Sequence, residues 1–171
     1  PMDFTPVTFR FVNDVMPQTR VHTTLAKQLA LFVVLYSPLQ MASDEIENYE
    51  ANPEPFNFIV SCPTDWSRTV VPEACIGSYV TIARCDKGEG YWYIGSITGD
   101  EERTANISLS FLDTDKRYLA TIYRDAPEAD YETCPAAILI EEREVTYSDT
   151  LTIRQARSGG TAVRLCPIKD S

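Results

Sequence analysis

Acidic side chains are the residues of this sequence that could most directly do chemistry. A pair of carboxylates can hydrolyse a glycosidic bond, one protonating the leaving oxygen while the other activates water or attacks carbon. Asp44, Glu45, Glu47 and Glu50 cluster after Met41 and could also offer oxygen ligands to a hard cation. Acids at the start of a helix are usually solvated and interact favourably with the helix dipole. We therefore interpret this cluster as the first turn of a helix and predict no metal site from it.

Nucleophilic and zinc chemistry find little support in the sequence. His22 is the single histidine and lies next to a predicted helix, so no Ser-His-Asp arrangement can be assigned. The five cysteines have neither a CxxC motif nor a Cys/His spacing suited to zinc. Their odd number leaves at least one thiol unpaired in a monomer. Bridged and free arrangements both remain open, and we favour buried free thiols because free cysteine packs as a small hydrophobe.

Three consecutive aromatic residues, Tyr91, Trp92 and Tyr93, could contact a sugar, because aromatic rings pack against the C–H faces of pyranoses. In a strand, however, the two tyrosines face one side and the tryptophan the other. We favour a core tryptophan flanked by two half-exposed tyrosines. The sugar-binding alternative keeps all three residues as carbohydrate-contact candidates.

Charge and hydrophobicity exclude other classes of function. The chain of 171 residues has 15 Lys and Arg against 25 Asp and Glu, a net charge of −10, which would repel a nucleic acid. The longest apolar run, residues 29–35, is far shorter than the roughly 20 residues of a membrane-spanning helix. Residues 1–4 have no charged and apolar signal-peptide pattern. We therefore expect no nucleic-acid partner, no membrane span and no signal peptide here, and the sequence suggests an excised piece of a longer protein.

The first third of the chain suggests alternating strands and helices. Residues 23–36 predict a helix that is apolar on nearly every face, with Thr23 or Thr24 as N-cap and Pro38 ending it. Residues 2–5 and 39–42 predict short strands, and residues 45–59 a second helix. This order is that of a parallel α/β fold, but two units are too few to close a barrel. We expect the apolar face of the first helix to lack part of its cover.

The rest of the chain predicts an antiparallel β-sandwich. Short extended runs alternate with polar turns such as the one at Ser158-Gly159-Gly160, and residues 104–111 alternate apolar and polar side chains. Strands are predicted at residues 78–84, 91–98, 104–111, 117–124, 137–144, 150–154 and 161–166. Seven or eight such strands in about 100 residues are typical of two packed sheets.

Several stretches resemble glycoside hydrolase family 97, and the resemblance spans nearly the whole chain. The most specific is TTLAKQLALFVVLYSPLQMA at residues 23–42, followed by ENYE at residues 47–50. The opening PMDFTP is similar to the family segment PMDYTP, with Phe4 in place of the tyrosine and Val7 in place of the glycine that usually follows. The strand sequences YVTIAR, WYIG and ATIYRD are similar to the C-terminal sandwich of the family.

The resemblance implies a mixed fold, with the last β/α segments of a (β/α)8 barrel in residues 1–66 and an all-β antiparallel sandwich in residues 67–171. The chain would then be the C-terminal fragment of a bacterial α-glucosidase or α-galactosidase, supporting the barrel, associating as a homodimer and inactive alone. The resemblance implies partners in the rest of the glycosidase and, through the whole enzyme, an oligosaccharide. Calcium is a cofactor that the full-length enzyme would use, and the expected location is periplasmic or secreted.

No catalytic residue is carried over, because the family's catalytic and calcium-binding carboxylates lie upstream of the matching stretches. Asp3 and Thr5, at the C-terminal end of a predicted barrel strand, are candidates for lining the substrate pocket. The alternative to this whole reading is a carbohydrate-binding β-sandwich module.

Overall fold

The computed structural model describes Thr5 and residues 7–169, and this part of the chain contains three helices and eight strands. The helices are α1 (Leu25–Val34), α2 (Ile46–Glu50) and α3 (Pro53–Ser61). The strands are β1 (Trp66–Cys75), β2 (Tyr79–Asp86), β3 (Trp92–Thr98), β4 (Arg103–Ser108), β5 (Tyr118–Asp125), β6 (Ile138–Val145), β7 (Thr150–Gln155) and β8 (Gly160–Pro167).

Helix α1 forms where the sequence predicts it. Thr24 has an extended backbone, and its hydroxyl accepts a hydrogen bond from the Lys27 amide at 3.3 Å, which satisfies one of the free amides of the first turn. The helix ends at Val34, since Leu35 already has extended geometry. Pro38 disfavours helical geometry in the residue before it.

The segment after α1 differs from the prediction. At residues 39–42, where a short strand is predicted, the described structure has a β-bridge at Gln40 and no longer strand. The Gln40 side-chain amide also donates to the carbonyls of Phe32 at 2.9 Å and Leu35 at 3.3 Å, so this segment caps the C-terminus of α1. The single helix predicted at residues 45–59 is two helices, because Pro53 occupies the first turn of α3 and restricts Asn52 before it. The strand predicted at residues 2–5 lies almost wholly outside the described residues.

The predicted antiparallel sandwich is confirmed. Six strands form one sheet in the order β1-β2-β3-β8-β5-β6, and β4 pairs with β7 in a second sheet. Strand β1 was not predicted, because Pro72 and a bulge between Val70 and Glu73 interrupt its alternation. A sheet tolerates both features at an edge, where β1 lies.

Two hydrophobic cores lie on opposite faces of the six-stranded sheet. The core between the two sheets is formed by buried residues of both, including Ile94, Ile107, Ile122, Leu151 and Leu165. The opposite face of the large sheet carries the helices. The structure therefore has three layers, helices, large sheet and small sheet.

Helix α1 packs directly on the large sheet at two glycines. A Cβ atom at Gly95 would lie 2.4 Å from the carbonyl oxygen of Ala30, and one at Gly160 would lie 2.8 Å from the Cα of Lys27. Because glycine has no side chain at either position, the helix and the sheet can approach closely. Seven of the ten α1 residues are buried. The expectation that α1 leaves a large uncovered apolar face is therefore wrong, because the sandwich of the same chain covers it.

Candidate functional site

The tryptophan among the predicted sugar-contact residues is buried between the two sheets. Trp92 is only 4% exposed, and its ring packs against Phe111 with centroids 4.7 Å apart. The guanidinium of Arg68 lies 5.5 Å from the Trp92 ring centroid. A sugar needs an exposed ring face, and Trp92 offers almost none.

The two tyrosines lie on the helix side of the large sheet, Tyr93 on β3 and Tyr91 immediately before it. Tyr93 is 2% exposed, not half-exposed as predicted, and its hydroxyl donates to the Ser61 carbonyl at 2.6 Å. Burial raises the pKa of Tyr93. Tyr91 is partly exposed, with the Arg164 guanidinium 5.2 Å from its ring centroid. The structure thus distributes the three aromatic residues over both faces of β3.

The pocket-lining candidates at the N-terminus lie at the margin of the structure. Asp3 lies outside the described residues. Thr5 is exposed and belongs to no helix or strand. Their contribution to a substrate pocket stays a prediction.

The acidic cluster after Met41 is organised around Asp44, which binds backbone rather than leaving its oxygens free. Its carboxylate accepts hydrogen bonds from the amides of Phe9, Arg10 and Glu45 and from the Asn48 side chain, at 2.6–2.8 Å. Burial raises the pKa of Asp44, but these hydrogen bonds outweigh it and leave the pKa below its usual value. Asp44 therefore fixes the N-terminal loop to the start of α2.

That loop borders an open polar cavity of about 720 Å³. Val7, at the base of the loop, has a φ of +76°, a conformation that suits glycine, and its amide donates to the buried Gln28 side chain at 2.9 Å. Within residues 5 and 7–169, no group of three or more His, Cys, Asp or Glu side chains is placed to hold a metal ion.

Lys27 ties α1 to the sandwich, a role that its position in the sequence does not reveal. Its ammonium donates to the Thr98 carbonyl at 2.7 Å and to the Ser158 hydroxyl at 3.3 Å. Burial lowers the pKa of Lys27, while the charges of Asp100 and Asp125 partly oppose this shift. The contact joins the first turn of the helix to β3 and to the turn before β8.

Asp125 is the buried acid beneath this junction. Its Oδ2 atom accepts hydrogen bonds from the amides of Ala156 at 2.8 Å and Gly160 at 3.0 Å, while Oδ1 is buried without a hydrogen-bond partner. Burial raises the pKa of Asp125 despite these hydrogen bonds. A Cβ atom at Gly159 would lie 2.1 Å from Oδ2. Asp125 therefore fixes the turn on which α1 rests.

The turn between β1 and β2 is the most exposed apolar feature of the sandwich. Ile76 is fully exposed, and Val71 on β1 is about half exposed. The Ser78 amide donates to the Cys75 carbonyl at 3.0 Å, and Gly77 has a φ of +82°, so the turn holds its shape. A cavity of about 420 Å³ adjoins this turn. We call the turn residues 75–78 the β1–β2 turn.

The other surfaces of the sandwich are mostly polar, with Leu139 and Tyr147 as partly exposed apolar side chains. The far edge strand β6 exposes Glu141, Glu142, Arg143 and Glu144, and salt bridges join Arg117 to Glu144 and Arg124 to Glu141. The small sheet exposes Thr104, Asn106, Ser108, Thr150 and Thr152. The most exposed apolar side chains of the described sandwich, Ile76 and Val71, thus lie in or near β1.

All five cysteines are free thiols, and Cys75 in the β1–β2 turn is the exposed one. Burial raises the pKa of the Cys62 thiol to about 12, which makes it unreactive. Among the described residues, no helix has the length and apolar character needed to cross a membrane.

The two packed sheets and the layer of helices define a β-sandwich protein. Residues 65–166 match the family described as glycosyl-hydrolase 97 C-terminal, oligomerisation. The chain belongs to this family, as its resemblance to glycoside hydrolase family 97 predicts.

Known proteins similar to this chain are larger enzymes. A retaining alpha-galactosidase of Bacteroides thetaiotaomicron is 35% identical over 147 residues, covering 83% of this chain and 21% of that protein. A family 97 enzyme variant from Pseudoalteromonas sp. strain K8 in complex with panose is 44% identical with a TM-score of 0.93, covering 99% of this chain and 27% of that one. The same organism's enzyme in complex with acarbose is 45% identical with a TM-score of 0.86, covering 88% and 23%. This chain thus spans about a fifth to a quarter of these relatives.

Proposed function

We propose that this chain is the C-terminal part of a family 97 α-glycosidase and that its sandwich mediates self-association. The observation that carries the proposal is the match of residues 65–166 to a family described by oligomerisation. The sandwich also offers an exposed apolar turn, which suits a protein contact better than a sugar site.

Residues 1–66 would complete the catalytic barrel, and residues 67–171 would hold this segment in place. The similarity to the panose complex supports assigning the residues before the family match to the same kind of enzyme, because it extends over 99% of the chain. The contacts of α1 with Gly95 and Gly160 support a holding role for the sandwich. Hydrolysis of α-glucosides or α-galactosides would then depend on carboxylates upstream, with calcium bound there if the parent enzyme uses it. We further propose export to the periplasm or outside the cell.

Light scattering and a glycosidase assay on residues 1–171 test this function. We expect a mass above 19.2 kDa that increases with protein concentration, and no hydrolysis of p-nitrophenyl α-glucoside or α-galactoside. A monomer at millimolar concentration would contradict the association function. Hydrolysis by this chain would contradict its dependence on an upstream catalytic part.

The carbohydrate-binding alternative stays a prediction, and the burial of Trp92 and Tyr93 does not favour it. Titration with maltose and galactosides, comparing wild type with Tyr91→Ala, tests it. Tyr91 is the informative position because it is the partly exposed ring of the three. Binding that is lost in this variant without unfolding would support the alternative.

A further inference from the structure

The β1–β2 turn combines a protruding apolar side chain with a neighbouring cavity. Ile76 projects fully into solvent, although transfer of such a side chain out of water is favourable. The adjoining cavity of about 420 Å³ is lined by Ile76 itself and also by Ala74, Val80, Ile97 and Lys27. The same surface thus carries a protruding apolar side chain and a cavity with apolar lining residues.

We propose that this surface binds a second copy of this chain, with Ile76 of each copy seated in the cavity of the other. The proposal rests on the proposed self-association and identifies its contact. In a two-fold interface, each surface patch meets the same patch of its partner. The protruding side chain and the cavity that receives it must therefore lie next to each other on one surface. The β1–β2 turn meets this requirement.

Charge favours an apolar contact over an electrostatic one. Each copy carries a net charge of −10, so two copies repel each other at long range. The β1–β2 turn contains no charged residue among Cys75, Ile76, Gly77 and Ser78.

The contact is expected to use side chains instead of strand pairing. Pro72 lacks an amide hydrogen, and the bulge between Val70 and Glu73 distorts the outer edge of β1. Two β1 edges therefore cannot pair into a continuous sheet. A contact centred on one turn buries less area than a standard stable interface, so we expect a dissociation constant on the order of micromolar.

Sedimentation velocity over a concentration series tests the proposal with two charge-matched variants of residues 1–171. Ile76→Asp should weaken association at least about tenfold, because a central apolar anchor carries much of the energy of an interface. Tyr147→Asp, at an exposed site in the β6–β7 connection, should associate like wild type. Both positions are exposed, and matching urea midpoints would show that both variants fold.

A cysteine crosslink provides a second measurement. Cys75 precedes Ile76 and is exposed, so a hexane-spaced bismaleimide should join two copies through it, and Cys75→Ser should abolish the crosslink. If wild type associates but Ile76→Asp associates equally well, or if no crosslink forms through Cys75, this contact is refuted while the proposed function stands. If wild type itself stays monomeric, both are refuted.

Discussion

Replacement of Gly95 by alanine should separate α1 from the large sheet. The added Cβ atom would lie 2.4 Å from the Ala30 carbonyl oxygen, 2.9 Å from the Val33 Cβ and 3.0 Å from the Val34 Cγ2. An ordinary contact requires about 3.5 Å, so the helix must move by about 1 Å. The Ala30 oxygen belongs to the helix backbone and cannot rotate away as a flexible side chain would.

The magnitude follows from the size of this displacement. A gap of 0.5–1 Å loses about a quarter to a half of the dispersion energy of the contacts it opens, and α1 has seven buried residues. Overpacking of this kind typically costs 1–3 kcal/mol, and we expect a loss of about 2–3 kcal/mol in the free energy of unfolding. With a urea m-value of about 2 kcal/mol/M, the midpoint should fall by about 1–1.5 M.

Gly88→Ala is the matched control for this experiment. Its added Cβ atom would meet only the Asp86 carboxylate, at an ordinary 3.7 Å, so the midpoint should move by less than about 0.5 M. Urea titrations followed by fluorescence and circular dichroism measure both variants. If Gly95→Ala unfolds at the same midpoint as Gly88→Ala, α1 does not rest on β3 at the described spacing, and the reasoning is refuted.

Three further substitutions test the loop, the buried acid and the edge of the sheet. Val7→Gly should change the free energy of unfolding by less than about 1 kcal/mol, because relief of backbone strain offsets the lost burial. By contrast, Val163→Gly, on a buried strand without such strain, should cost about 3 kcal/mol or more in the same urea titration. The pKa of Asp125 is raised in the folded state, so its contribution to stability is fully present below its unfolded-state pKa and is lost as pH rises through its folded-state pKa. Urea midpoints measured at several pH values should therefore show that wild type loses stability relative to Asp125→Asn as pH increases. Arg103→Ala should cost about 1–2 kcal/mol by thermal unfolding, because it leaves a half-buried carboxylate on β1 without its 2.9 Å salt bridge, whereas Arg117→Ala, in an exposed salt bridge, should cost less than about 1 kcal/mol.

The alternation of apolar and polar residues predicted strands well where one face of the strand is buried and the other is exposed. Ala105 and Ile107 on β4 face the core, and the residues before each of them are exposed. This alternation of apolar and polar side chains predicts the strand directly. The helix α1 was equally clear because its ends are marked by Thr24 and by the extended geometry before Pro38. Sheet order could not be predicted in this way, since β8 lies between β3 and β5 through contacts distant in sequence.

The candidate surfaces were harder to predict, because their properties depend on tertiary neighbours. Ile76 follows Cys75 in an apolar-looking stretch, and only the turn geometry at Gly77 shows that it projects into solvent. Asp125 ends the strand sequence ATIYRD, and nothing in that sequence distinguishes it from an exposed acid. Its burial depends on tertiary contacts with the Ala156 amide and the turn before β8. Tyr93 was expected to be half-exposed, since the sequence does not reveal that helices cover that face of the sheet.

The shared core of α1 and the sandwich has a consequence for the proposed domain division. Residues 1–66 and 67–171 are separate in sequence pattern, but Leu29 and Phe32 of α1 pack with Tyr93, Tyr123 and Ala162 of the sheet in one cluster. The sandwich alone would expose that face to water, whereas the isolated N-terminal segment would lose the surface on which α1 rests. Because each part buries the apolar surface of the other, the boundary near residue 66 separates two patterns of secondary structure but not two independent cores.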